Sequence, residues 1–204
     1  MTDQPAEQGV ARGQTSAPLV LADVRAWRSW LDRHEDDSDG EWLVLAKKGV
    51  STPTSLTYLQ ALEEALCSGW IDGQAKSLDA TTYMQRFTPR RRRSLWSARN
   101  VTRVERLIEE GRMRPRGHAE IERAKADGRW AAAYAGSATI TVPDDLTAAL
   151  DASTAARRTF DALDAQNRYA VLFRITTAQT PQTRQQRLER LIDMLARGEM
   201  PHPQ

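Results

Sequence analysis

One cysteine, Cys67, is all that the 204 residues contain, so no intrachain disulfide can form and the composition suits a reducing compartment. Cys67 falls late in an apolar helical pattern and reads as a small buried hydrophobe rather than a reactive thiol. The three histidines, His34, His118 and His202, are scattered and lack metal-ligand spacing, so neither a metal nor another cofactor is expected. No stretch approaches the roughly 18 consecutive apolar residues of a membrane-spanning helix. Residues 1–18 lack the basic start and apolar centre of a secretory signal and read as a disordered leader. These absences point to the cytoplasm. Also missing are a Gly-rich phosphate loop, a His-Glu-x-x-His helix, paired cysteines and a Gly-x-Ser-x-Gly elbow, so the well-marked routes to catalysis are absent.

What is present is an ordinary globular composition, 40% hydrophobic and 27% charged, in a chain long enough for one sizeable core or two small ones. The net charge of +2 conceals a strong asymmetry. Residues 1–40 carry eight acids and four arginines, whereas residues 86–116 carry eleven arginines and three glutamates. A field that uneven steers an anionic partner, unless the arginines form a solvated face balanced elsewhere in the fold.

Hydrophobic spacing organises the chain. Val20, Val24, Trp27, Trp30 and Leu31 predict an amphipathic helix from Leu19 to Arg33, and Trp42 to Ala46 reads as a short buried strand. Thr57 and Gln60 form a capping-box pattern at the head of a helix that stops at Gly69. Trp70 to Lys76 and Thr82 to Phe87 then read as a hairpin. Strand, helix, strand, strand implies a right-handed crossover and a small mixed sheet. Beyond Ser97, a plausible N-cap, the pattern is helical, with Val101, Val104, Leu107 and Ile108 as a buried stripe and Gly111 as a stop. A second helix covers Gly117 to Asp127, and Arg129 to Val142 is the best linker. Pro143, Ser153, Asp164 and Thr180-Pro181 open the last helices, the final one ending at Gly198. The expected fold class is therefore α+β: a leader over 1–18, an α+β domain over 19–135 and a helical region over 143–198.

Two segments carry candidate chemistry. In Gly69-Trp70-Ile71-Asp72-Gly73, Asp72 is an acid or base at a strand end beside Trp70, or else Trp70 is core and Asp72-Gly73 a bulge. In Pro89 to Asn100, Arg90, Arg91, Arg92 and Arg93 sit on a loop that runs through Ser94 and Trp96 to the helix start at Ser97 and Asn100. Guanidinium forks next to free helix amides suit a phosphate or carboxylate, and Trp96 can cover it. The alternative is that these arginines pair with the acidic N-terminal region and Trp96 is core. Phe87 and Trp96 among so many arginines also suit single-stranded nucleic acid, although no finger, helix-turn-helix or RNA-recognition signature accompanies them.

Several blocks in order resemble the YdeI/OmpD-associated, bacteriocin-protection family over residues 24–198. They are Ala65-Leu66-Cys67-Ser68-Gly69-Trp70-Ile71-Asp72-Gly73, Phe87-Thr88-Pro89-Arg90 through Ser94, Trp96-Ser97 with Asn100, and Arg106 to Met113. Next come Ala124 to Trp130 with Ala133-Tyr134, Val142-Pro143 with Asp145-Leu146, and Thr183-Arg184 with Arg187. One departure is Gln179 after Ala178, where the family often has lysine. The resemblance implies protection against bacteriocins or cationic peptides and carries no catalytic residue set.

Three readings follow. The first is a non-enzymatic stress or antimicrobial-tolerance protein that binds an anionic small molecule or a protein partner. Its contact residues would be Arg90, Arg91, Ser94, Trp96, Ser97 and Asn100, joined by Arg184 and Arg187. The second is an enzyme with an anionic substrate in a pocket near Trp70 and Asp72, with Cys67 a further reactive candidate. The third is a nucleic-acid binder.

Overall fold

The computed structural model describes residues 17–202, so the expected leader lies outside the described residues except for its last two positions. The chain divides into two compact units, Met1–Pro89 and Arg90–Gln204.

The first unit is a three-stranded sheet with two helices. Helix α1 (Val24–His34) is capped by Asp23, whose carboxylate accepts from the Ala26 amide at 2.9 Å. It starts later than the spacing predicts, because Leu19 is drawn into an isolated parallel bridge with Leu43. The Leu19 amide donates to the Trp42 carbonyl at 2.7 Å, which satisfies backbone groups that a helix would have satisfied internally. Strand β1 (Glu41–Ala46), helix α2 (Tyr58–Cys67), strand β2 (Trp70–Ser77) and strand β3 (Thr82–Pro89) follow. The capping box of α2 is formed: Gln60 Oε1 accepts from the Thr57 amide at 3.0 Å and from its hydroxyl at 2.9 Å.

The sheet is small but its strands are antiparallel rather than mixed, in the order β1-β3-β2. The expected crossover from β1 through α2 to β2 exists, but it skips one position, which β3 fills when the hairpin folds back. The Leu19 bridge, outside the named strands, is parallel. The β2–β3 register shifts between Asp72 and Ala75, so Asp72-Gly73 opens the bulge that its glycine suggests. Trp27 is fully buried, meets Trp70 and Phe87 at ring-centroid distances of 6.3 and 5.8 Å, and donates from Nε1 to the Ala61 carbonyl. Cys67 is buried.

The second unit is helical: α3 (Ala98–Glu109), α4 (Pro115–Ala126), α5 (Asp144–Asp151), α6 (Thr154–Asp161), α7 (Ala165–Thr176) and α8 (Pro181–Ala196). Ser97, Ser153, Asp164 and Thr180 cap four of these as their sequence positions suggest. Within α3 the stripe is narrower than expected, since Val104 and Leu107 are buried while Ile108 is exposed. Leu146, Leu150, Phe160, Val171, Leu172, Ile175, Leu188 and Leu195 form the core of α5–α8. Among the described residues no helix is long and apolar enough to cross a membrane.

Gly40 shows what the turn before β1 demands. Its φ is +124°, and a Cβ there would stand 2.6 Å from the Phe87 carbonyl oxygen. At Gly49, with φ +83°, a Cβ would meet nothing within 4 Å. Gly40→Ala therefore costs about 2–4 kcal/mol and Gly49→Ala about 1 kcal/mol, read from chemical denaturation midpoints.

Candidate functional site

The arginine loop is a loop, as Pro89 and Ser97 require, but its inner residues are structural. Arg90 is 6% exposed and Trp96 2%. The Arg90 guanidinium lies over the Trp96 ring, 3.7 Å from its centroid, and Nη1 donates to the Leu95 carbonyl at 2.9 Å. Ser94 Oγ accepts from the Arg91 amide at 2.8 Å, which folds the loop into a tight turn. Ser97 Oγ caps α3 at the Asn100 amide, and Asn100 Oδ1 accepts from Arg103 at 3.0 Å. The buried Trp96 and Phe87 offer no exposed face on which a base could stack.

The outer half of the loop is held by a residue that the sequence marks only as part of a family block. Arg129, 8% exposed, donates from Nη1 to the Ser94 carbonyl at 3.1 Å and to Glu120 at 2.9 Å, and from Nε to Asp127 at 2.8 Å. Desolvation opposes the ions in this cluster, and mutual pairing more than offsets it. The Arg129 pKa stays above its ordinary value, and that of Asp127 below its own, with help from the Arg92 charge. Beyond it, Ser97 and Tyr134 form an isolated parallel bridge, so the segment expected to be a linker instead docks beside the loop.

Two cavities open where this loop meets the α7–α8 turn. The first, about 830 Å³, carries four arginines: Arg93 from the loop, Arg174 from α7, and Arg187 and Arg190 from α8. Around them stand the hydroxyls of Thr177, Thr180 and Thr183, the Gln179 amide, and an apolar wall of Leu95, Phe173, Leu191 and Met194. No carboxylate lines it. The second, about 710 Å³, shares Arg93, Leu95, Thr177, Gln179 and Thr180 with the first and adds Arg92, Asp127 and Arg129. Gln179, at the position where the resembled family often has lysine, lines both.

Several carboxylates of this unit pair with other arginines. Glu110 holds Arg106 and Arg112, Glu120 holds Arg123 and Arg129, Asp151 holds Arg157, Asp145 holds Arg184 and Glu199 holds Arg197. Arg93, Arg174, Arg187 and Arg190 pair with no carboxylate among the described residues. Arg187 is oriented by Nη1, which donates to the Arg174 carbonyl at 2.7 Å.

Of the candidate residues named from the sequence, Arg187 and the loop arginines Arg92 and Arg93 line these cavities. Arg184 is locked in a bidentate pair with Asp145, at 2.6 and 2.8 Å, and also donates to the Ile175 carbonyl. Trp70 is core, and Asp72 stands on β2 with its carboxylate accepting from the Tyr58 hydroxyl at 2.9 Å. Arg174 and Arg190 were not among the expected contacts, because Arg174 sits on another helix and Arg190 follows a spacing shared by the structural Arg184. Among the described residues no cluster of acids, cysteines and histidines can hold a metal ion.

Two tests separate holding from binding. Arg129→Met leaves the buried Glu120 without its closest buried cation and costs about 3–5 kcal/mol in denaturant unfolding. The Arg184 bonds hold the Asp145 carboxyl below its ordinary range. Their contribution is therefore complete above the unfolded carboxylate pKa of about 4 and fades as pH falls through the lower folded value. Wild type should lose stability more steeply below pH 4 than Asp145→Asn, in melts recorded across the acid range.

The family model described as a domain of unknown function (DUF8412) matches residues 19–120, half of the chain, and the chain belongs to that family. Residues 139–198 match the model described as Bacteriocin-protection, YdeI or OmpD-Associated, as the resemblance implied. The resemblance blocks from Ala65 to Met113 fall under the first model. Those at Val142-Pro143, Asp145-Leu146 and Thr183 to Arg187 fall under the second, together with Arg174 and Arg190. No curated protein and no solved structure matches the chain.

Proposed function

We propose that the protein is a non-enzymatic binder of an anionic small molecule. The ligand is seated in the larger cavity of the helical unit, and binding serves tolerance of antimicrobial peptides. The carrying observation is the convergence on one cavity of four arginines that no carboxylate pairs among the described residues, whereas Arg129 and Arg184 nearby are held by Glu120 and Asp145. Arginine is suited to this task because its planar fork donates two hydrogen bonds to one carboxylate or phosphate and keeps its charge at every relevant pH. A cavity of about 830 Å³ lies within the usual range for small-molecule sites. The tolerance role rests on the words of the family description matched by residues 139–198. A cytoplasmic location belongs to this reading and rests on the single cysteine. The arginine loop contributes Arg93 to the larger cavity, rather than Arg90 and Trp96.

The test is a thermal-shift screen at low salt against inorganic phosphate, pyrophosphate, citrate and short oligonucleotides. Wild type is compared with Arg93→Gln/Arg190→Gln, both exposed positions. An anion at about a hundredfold over its Kd raises the melting temperature by about 5–10 °C, and the double variant loses that rise. No shift, or a shift that survives in the variant, overturns the reading. A preference for oligonucleotides with a steep salt dependence assigns the arginines to nucleic acid instead.

A further inference from the structure

The lining of the larger cavity is graded in one direction. Along α8 the order is Thr180 and Thr183, then Arg187 and Arg190, then Leu191 and Met194. At about 1.5 Å of rise per residue this sequence of hydroxyl, cation and hydrocarbon extends over about 21 Å. Helix α7 repeats the order from the same turn, with Thr177 nearest, then Arg174 and Phe173. The Arg187 bond to the Arg174 carbonyl sets the cationic levels of the two helices side by side. Two helices thus give the same polarity: a polar, cationic end at the turn and an apolar end away from it.

We infer that the ligand is an elongated amphiphile, a phosphate monoester on an unbranched hydrocarbon chain. Its head sits among the turn hydroxyls and Arg174, Arg187 and Arg190, and its chain runs toward Met194. This deepens the anion-binding reading and rests on it. A phosphate monoester carries between one and two negative charges at neutral pH, so it balances several convergent guanidinium groups better than a singly charged carboxylate ligand would. The hydrocarbon covers an apolar wall that a small polar anion would leave wet. Met194 suits an adaptable end to the cavity, since its unbranched thioether fits chains of different length.

The experiment is a calorimetric titration of the full chain with inorganic phosphate, butyl phosphate and octyl phosphate, below the micellar concentration of each. Affinity rises about two- to fourfold for each methylene that reaches the apolar wall. Arg190→Gln weakens all three ligands, whereas Met194→Gln flattens the chain-length dependence and leaves inorganic phosphate unchanged. Arginine-dependent phosphate binding with no gain from the chain overturns this inference and leaves the anion reading standing. Failure of all three to bind overturns both. If Met194→Gln does not fold, the wild-type series alone decides between these outcomes. Sedimentation with phosphatidylcholine vesicles containing one-tenth phosphatidic acid, abolished by Arg190→Gln, identifies the ligand as a membrane lipid. Octyl phosphate binding without sedimentation identifies a free amphiphile.

Discussion

The helical unit depends on the burial of Arg129. Its guanidinium joins the loop at Ser94, 35 residues away, to Glu120 on helix α4 and to Asp127 in the turn that ends that helix. Desolvating such a cation is costly, and the cost is met only because two carboxylates and a carbonyl surround it. The geometry leaves little freedom to the loop residues just before Ser94. Arg92 and Arg93 are therefore delivered to the cavities by a fixed framework rather than by a flexible basic tail. Preorganisation of this kind lowers the entropy lost when a ligand binds.

The same framework divides the arginines by role. Arg90 turns inward over Trp96 and serves as part of the core, with its charge over an aromatic face. Arg184 is held by Asp145, while Arg187, one turn further along α8, donates to the Arg174 carbonyl and the Thr177 hydroxyl, both uncharged. Three residues along a helix separate a neutralised cation from one that contributes field to a cavity. Net charge of the chain is close to balance, so the positive potential of this site arises from where the carboxylates are, not from how many arginines there are.

That distinction marks how far the sequence could be read. The capping residues Ser97, Ser153, Asp164 and Thr180 were legible because a cap is a local interaction between residues three apart. The bulge after Asp72 was legible for the same reason, through its adjacent glycine. The strand order was not, because hairpin closure and crossover compete for the position beside β1 and only the folded sheet decides between them. Leu19 left its helical pattern for a similar reason: a non-local bridge to Leu43 outweighed local periodicity. The density of charge at Arg90 to Arg93 pointed to a loop whose arginines Arg92 and Arg93 line the two cavities. It could not show that the loop's first arginine is buried and its last reaches a cavity, since that depends on Arg129, 36 positions beyond Arg93 in the sequence.

The lining of the larger cavity draws on both matched stretches of the chain. The region matched by the bacteriocin-protection description supplies Arg174, Arg187, Arg190 and the apolar wall of α8, whereas Arg93 and Leu95 lie within residues 19–120. Residues 139–198 alone would keep the gradient along α7 and α8 but lose the loop that supplies the fourth cation. Arg129, which anchors that loop, belongs to neither matched stretch. A change at Arg129 would therefore act on the proposed anion site through position alone: it would remove no group from the larger cavity, yet release the loop that bears Arg93.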